Sequence, residues 1–421
     1  MKKKFFKAGV FLSIFLNVGI LFSQERVIIS TDIGGTDPDD FQSMIHFLMY
    51  ADQFETEGLI SSPYGEGRKE DILDMLDLYE QDYPKLEQHS ENFPTADYLR
   101  SITKQGSIEE APIEGWSSSN EGSEWIIECA KLKNRKPLWI LVWGGIEDVA
   151  QALHDAPEIA PAIRVYWIGG PNKKWSVNAY NYIASNFPDL FMIEANATYR
   201  GFFIDNNPHR DTSVKNFYKS HIKNRGAMGR DFGNYYGGVI KMGDTPSVLY
   251  LLNGNHESPA GLSWGGSFVP LEYSAKREFN RLTTINDTVP VFSVMEWVLE
   301  APTSGIGVGE PILTMEIAGQ QFDGYYIGNG QYKLRFVTKT TGNWSYKIHS
   351  KIDEFDGLEG KFVSVDPWPG APHPDNMGNL NNWWSDDPDN FEGMYQGAKT
   401  IYKWREKFMA DWAERWRWLG E

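Results

Sequence analysis

Four aspartates crowd one short segment near the start of the chain, Asp32-Ile33-Gly34-Gly35-Thr36-Asp37-Pro38-Asp39-Asp40. Asp32 follows an apolar run from Val27 to Ser30, and Asp39 with Asp40 opens a helical pattern. A glycine-rich turn therefore gathers three or four carboxylates at one strand end, where their repulsion calls for a cation. An all-oxygen set with no His or Cys beside it favours calcium, which takes about six to eight oxygen ligands, over zinc. The same residues also make a good helix start without any metal: Asp37 as N-cap, Pro38 at the first helical position and two acids in the first turn. Asp32 and the Gly34-Gly35 pair weigh toward the metal, since a cap requires neither.

The elements that must position this loop follow a strand-helix-strand rhythm. Val27 to Ser30 reads as a strand, Asp39 to Ala51 as a helix and Glu57 to Ser61 as the next strand. Leu138 to Val142 and Val165 to Ile168 read as further buried parallel strands, each closed by a Gly-Gly pair and followed by a helix. The expected fold class is α/β, an open and mostly parallel sheet with helices on both faces, whose ligands sit at the carboxyl ends of the strands. Near Asn286 the rhythm changes to period two, with Tyr332, Leu334 and Phe336, a polar turn at Thr340 to Asn343, then Trp344, Tyr346 and Ile348. That pattern predicts an antiparallel sandwich inserted into the α/β unit. From about Lys399 the chain returns to helix, with Trp404, Phe408, Trp412, Trp416 and Leu419 at helical spacing, a stripe read as core. The expected division is 1–24, 25–285, 286–366 and 367–421.

Composition narrows the function. Lys2, Lys3, Lys4 and Lys7 precede an apolar run from Ala8 to Phe22, the pattern of a signal peptide, so the chain is expected to be exported to the periplasm or beyond the cell. No stretch reaches the length of a membrane span. The net charge of −17 becomes −21 once the four lysines of residues 1–24 are removed, which disfavours nucleic acid and suits a divalent cation or a neutral ligand. Cys129 has no second cysteine to pair with.

With these residues in view, the chain resembles the inosine-uridine nucleoside hydrolases, whose first strand ends in an Asp-x-Asp-Pro-Gly-x-Asp-Asp calcium loop. It is more similar to a secreted branch described as cellulose-binding, nucleoside-hydrolase-like proteins, which carry Thr-Asp-Ile-Gly-Gly followed by Asp-Pro-Asp-Asp; residues 31–40 fit with Thr36 as one extra residue. The resemblance implies that Asp32 and Asp40 are calcium ligands, that Asp37 or Asp39 joins them, that Asp39 holds ligand hydroxyls and that Asp32 is the general base. It also implies Glu147, in Trp143-Gly-Gly-Ile-Glu147, as a ligand through its main chain, and Asp244, in Gly243-Asp-Thr-Pro246, as the last ligand. Asp244 or Thr245 serves equally as a helix cap.

Asn178-Ala-Tyr-Asn181 resembles the family's sugar-binding Ala-Glu-Phe-Asn, with its glutamate lost to Ala179 or Asn178. The family's histidine beside the last aspartate is Gly243 here, and His256 is the only nearby substitute. Trp175, Trp264, Trp368, Trp383 and Trp384 lie in Gly-, Asn- or Pro-rich segments, where flat rings suit stacking on sugars or simple loop packing; Trp264 is taken as a substrate contact. The segment 286–366 resembles an immunoglobulin-like module at the start of some secreted glycoside hydrolases, through Phe322-Asp-Gly324 and Gly342-Asn-Trp-Ser-Tyr346. The expected activity is calcium-dependent hydrolysis of an N-glycosyl bond in a ribosyl or related saccharide. A non-catalytic polysaccharide-binding protein on the same fold is the rival.

Overall fold

A computed structural model describes residues 24–63, 65, 67–133, 135–203, 216–271, 273–302, 305–366 and 375–420. The basic, apolar N-terminal segment and Trp368 lie outside the described residues. The first sheet has eight strands: β1 (Glu25–Thr31), β2 (Phe54–Ser61), β3 (Thr103–Gln105), β4 (Leu138–Val142), β5 (Ile163–Trp167), β6 (Phe191–Glu194), β7 (Phe268–Pro270) and, from much later in the chain, β17 (Trp383–Asp386). Their order is β3-β2-β1-β4-β5-β6-β17-β7, parallel throughout except for β7 at the edge.

Continuous apolar runs form the central strands because both faces are covered. In β1, Val27 and Ile29 face one core and Ile28 the other; in β4, Trp139 and Leu141 face the first, and Leu138, Ile140 and Val142 the second. Helices Asp39–Met49, Lys69–Leu86 and Thr245–Leu252 cover one face, and Glu121–Ala130, Glu147–Asp155 and Val177–Asn186 the other. The strand order reverses at β1, with β2 on one side and β4 on the other. Their carboxyl ends thus open a crevice at a topological switch point.

The second sheet is a β-sandwich-like region of nine strands, ordered β16-β8-β10-β13-β12-β11-β14-β15-β9. In chain order these are β8 (Tyr273–Phe279), β9 (Thr288–Pro290), β10 (Val294–Glu300), β11 (Pro311–Ile317), β12 (Gln320–Gly328), β13 (Gln331–Val337), β14 (Gly342–Ser350), β15 (Glu359–Val365) and β16 (Asp375–Asn379). One hydrogen-bonded ladder joins them all, and it folds over itself. Trp297 of β10 meets Tyr346 of β14 at 5.3 Å between ring centroids although three strands separate them in the ladder. The sheet takes in β8 and β16, on either side of residues 286–366. β8 pairs in parallel with β10, a long-range pairing that no local period announces.

Two tryptophans expected in a loop are instead in a strand. Trp383 and Trp384 belong to β17, which pairs with β6, and Trp383 is buried against Tyr180. The flanking Asn and Pro residues hid a strand of only four residues. The C-terminal helix, Arg405–Trp418, buries Phe408, Trp412 and Trp416 in the first core.

Candidate metal centre and its cleft

Asp32 leaves the carboxyl end of β1 and enters a turn closed by a hydrogen bond from the Gly35 amide to the Asp32 carbonyl, 2.9 Å. Gly34 has φ +83°, and a Cβ there would come within 2.2 Å of Asp71 Oδ2, so both conformation and space demand glycine. The helix then starts at Asp39 with Pro38 in the cap position and no side-chain cap bond. The expected cap role of Asp37 is therefore not realised. Its carboxylate accepts from the Tyr236 hydroxyl and the Lys241 ammonium, and it is exposed. Asp244 stands before the helix Thr245–Leu252 and also makes no cap bond; Ser43 Oγ donates to its Oδ2 at 3.4 Å.

Asp39, Asp40 and Asp244 at the two helix starts thus turn inward, whereas Asp37 does not. Carboxylate oxygens of Asp39, Asp40 and Asp244 lie within 4.8 Å of one another, and Asp32 lines the same cavity beside Asp40. Burial, followed by neighbouring negative charge, raises all four. Asp32 goes to about 7 and Asp39 to about 6, with Lys241, 3.5 Å from Asp39 Oδ1, opposing the latter rise. Asp40 is held well above the ordinary carboxylate range by burial and by Asp32, Asp244 and Asp39, and Asp244 by burial, Asp39 and Asp32. Thr31 donates its hydroxyl to Asp40, and the Gly243 amide donates to Asp39 Oδ2 at 3.0 Å. Four clustered carboxyls, three of them buried and Asp32 partly so, are stable together only if protons or a cation neutralise them.

These groups line a cavity of about 140 Å³, walled also by Trp143, Asn172, Tyr199, Arg200, Lys241 and Lys339. Asn172 is fixed by hydrogen bonds that its side-chain Nδ2 donates to the carbonyls of Trp143, 2.7 Å, and Ile168, 2.9 Å. Lys339 comes from the turn after β13, so the second sheet supplies part of the wall. Asn172, Tyr199, Arg200, Lys241 and Lys339 were not singled out from sequence. Apart from the adjacent Tyr199 and Arg200, they lie on separate segments, and no spacing links them to the acidic loop.

Four expected residues do not line this cavity. Glu147 is buried and accepts from Ser176 Oγ at 2.8 Å, and burial raises its carboxyl to about 8. Gly144 and Gly145 let the chain pass between two acids: a Cβ at Gly144 would lie 2.6 Å from Asp32 Cβ, and one at Gly145 2.3 Å from Glu147 Oε2. Asn178 donates to the Ala111 carbonyl, 3.0 Å, and accepts from Arg335 Nη1, 3.1 Å, so it joins the two sheets' domains instead of facing the acids. Asn181 lies on the same helix with its Oδ1 buried and without a hydrogen-bond partner among the described residues, and Trp264 packs on the first core, its loop tied back by the Ser263 hydroxyl to the Tyr250 carbonyl. Trp175 stacks on Phe322 of the second sheet at 5.1 Å. His256 cannot replace the missing acid, since it lies 3.9 Å from Glu25, at the opposite end of β1 from Asp32.

An α/β sheet with an acidic centre at its switch point and a β module beside it defines a nucleoside-hydrolase-like protein with an added domain. Residues 26–268 match the family of cellulose-binding Sde182, nucleoside hydrolase-like domains, and the chain belongs to that family. Residues 288–351 match a domain of unknown function, DUF5060. No curated protein matches the chain. Among solved structures, a nucleoside hydrolase-related protein from Saccharophagus degradans, associated with carbohydrate metabolism, is 20% identical with a TM-score of 0.48, over 82% of this chain and 100% of that one. A plant nucleoside hydrolase is 12% identical with a TM-score of 0.36, over 81% of this chain and 94% of that one. The inosine-uridine preferring nucleoside hydrolase from Bacillus anthracis is 12% identical with a TM-score of 0.33, over 54% and 82%.

Proposed function

We propose that the chain is an exported, calcium-dependent hydrolase acting on the N-glycosyl bond of a ribosyl or related saccharide. The observation that carries this reading is the convergence of Asp32, Asp39, Asp40 and Asp244 at the switch point, with neither Asp37 nor Asp244 used as a helix cap. The donor set fits calcium: it is all oxygen, buried, and too negative to persist without a counter-charge. The chemistry that calcium supplies in such a site is a lowered pKa for water and a grip on vicinal hydroxyls.

The chain's own residues do the rest. Asp32, fixed at the end of β1 against Asp40, would take the water's proton as the glycosidic bond breaks through an oxocarbenium-like state. Asp39, oriented by the Gly243 amide, would accept from sugar hydroxyls. Trp143 and Ile168, both buried, form an apolar floor that limits competing water.

A specific observation favours the second reading, a polysaccharide-binding protein without turnover. A Cβ at Gly243 would lie 2.6 Å from Asp39 Oδ2, so the position beside Asp244 has no room for an acid side chain while Asp39 stays in place. The family's description as cellulose-binding points the same way. The deciding experiment is a screen of the mature protein with calcium against nucleosides, other N-glycosides and oligosaccharides for released reducing sugar, beside a pull-down on cellulose. The hydrolase reading expects release that vanishes in Asp32→Ala. Cellulose binding with no release from any N-glycoside would replace it with the second reading.

A further inference from the structure

The acidic cavity does not end at its own walls. A second cavity, of about 240 Å³, shares Pro171, Tyr199, Arg200 and Lys339 with it and runs outward between the α/β unit and the β module. Its lining contains no Asp or Glu, although the chain as a whole carries a net charge of −17. The two cations at the junction, Arg200 and Lys339, make no ion pair with any described residue. Arg200 is held in place by rings instead, with its guanidinium 4.9 Å from the Tyr199 centroid and 5.4 Å from that of Tyr395. Lys339 is exposed on the turn between β13 and β14, beside Thr340.

Unpaired cations with aromatic sides and hydroxyl-bearing neighbours suit an oxyanion carried on a sugar. We infer that this second cavity is a subsite for a saccharide bearing an anionic group, a carboxylate or a sulfate or phosphate ester, clamped by Arg200 and by Lys339 of the β module. The inference rests on the acidic centre being the place where the adjoining sugar binds. In it the module is a wall of the binding site that sets specificity.

Titration calorimetry of the full mature protein with calcium present tests this, using D-glucuronate, D-glucose, acetate and inorganic sulfate as probes. Glucuronate should bind at least about tenfold tighter than glucose, acetate or sulfate, a difference of about 1.4 kcal/mol. Lys339→Gln and Arg200→Gln should each remove that preference, and Lys339→Gln, an exposed substitution, should leave the melting temperature unchanged. Equal binding of glucuronate and glucose overturns the inference, as does acetate or sulfate binding as tightly as glucuronate, or a preference that survives both substitutions. A parallel calcium titration on the same variants keeps the two claims apart. Retained calcium binding with no glucuronate preference sinks the subsite alone, whereas absent calcium binding sinks the acidic centre on which it rests.

Discussion

Gly243 shows at the residue scale how one position fixes the character of the site. Its amide donates to Asp39, and its missing side chain leaves the space that the Asp39 carboxylate occupies. Gly243→Ala should push Asp39 away and weaken calcium binding by about tenfold or more, roughly 1.4 kcal/mol, with little change in the melting temperature of the calcium-free protein. Calorimetry on the variant checks this; unchanged affinity would show that Asp39 is not part of the cation site. The acidic loop was legible in the sequence because Asp32, the two glycines and Asp39-Asp40 lie close along the chain and their turn is local. Lys241, Arg200 and Asn172 were not, because they reach the same cavity from segments far apart in sequence and their types carry no pattern. Asn178 lies away from the acids for the opposite reason. Its motif is local, but its partner Arg335 arrives from another domain.

The elements that matter most beyond the switch point are those joining the two sheets. Arg335 of β13 donates to Glu296 of β10 at 2.6 Å, to the Ile113 carbonyl at 2.9 Å and to Asn178, so one buried guanidinium ties the β module to the α/β unit. Burial alone would raise the Glu296 carboxyl, but Arg335, Lys276 and Lys333 outweigh it and hold it at about 2. A carboxyl with a depressed folded pKa stabilises above its ordinary value of 4.5, and that stability is lost as pH falls through about 2. The module should therefore loosen progressively between those values, as followed by tryptophan fluorescence. Arg335→Met leaves Glu296 buried without its closest partner and should cost about 3–5 kcal/mol, read by denaturant titration. A loss under about 0.5 kcal/mol, typical of surface changes, would show that the clamp is incidental.

Across the whole molecule, the end of the chain completes its beginning. β17 adds to the first sheet beside β6, and the helix Arg405–Trp418 lays Trp412 and Trp416 on the same core as Val27 and Ile29 of β1. Arg415 donates to the Met49 carbonyl, 2.7 Å, and to Asp52, 2.5 Å, fixing that helix behind the one that carries Asp39 and Asp40. Trp416→Ala should thus cost about 3–5 kcal/mol and lower the melting of the α/β unit, not only fray the C-terminus. Hydrogen exchange that changed in residues 405–420 alone would argue against this closure. The helical stripe was plain from its spacing, while β8 and β17 were missed because each is defined by a partner far away in sequence.

The most direct test of the acidic centre is a calcium titration by calorimetry of the chelator-treated protein beside Asp40→Asn. Asp40 lies at the middle of the cluster, in contact with Asp32 and within reach of Asp39 and Asp244. A single binding event in the parent protein that disappears in the variant is the expected result. No calcium binding by the parent, or equal affinity in the variant, would contradict the account.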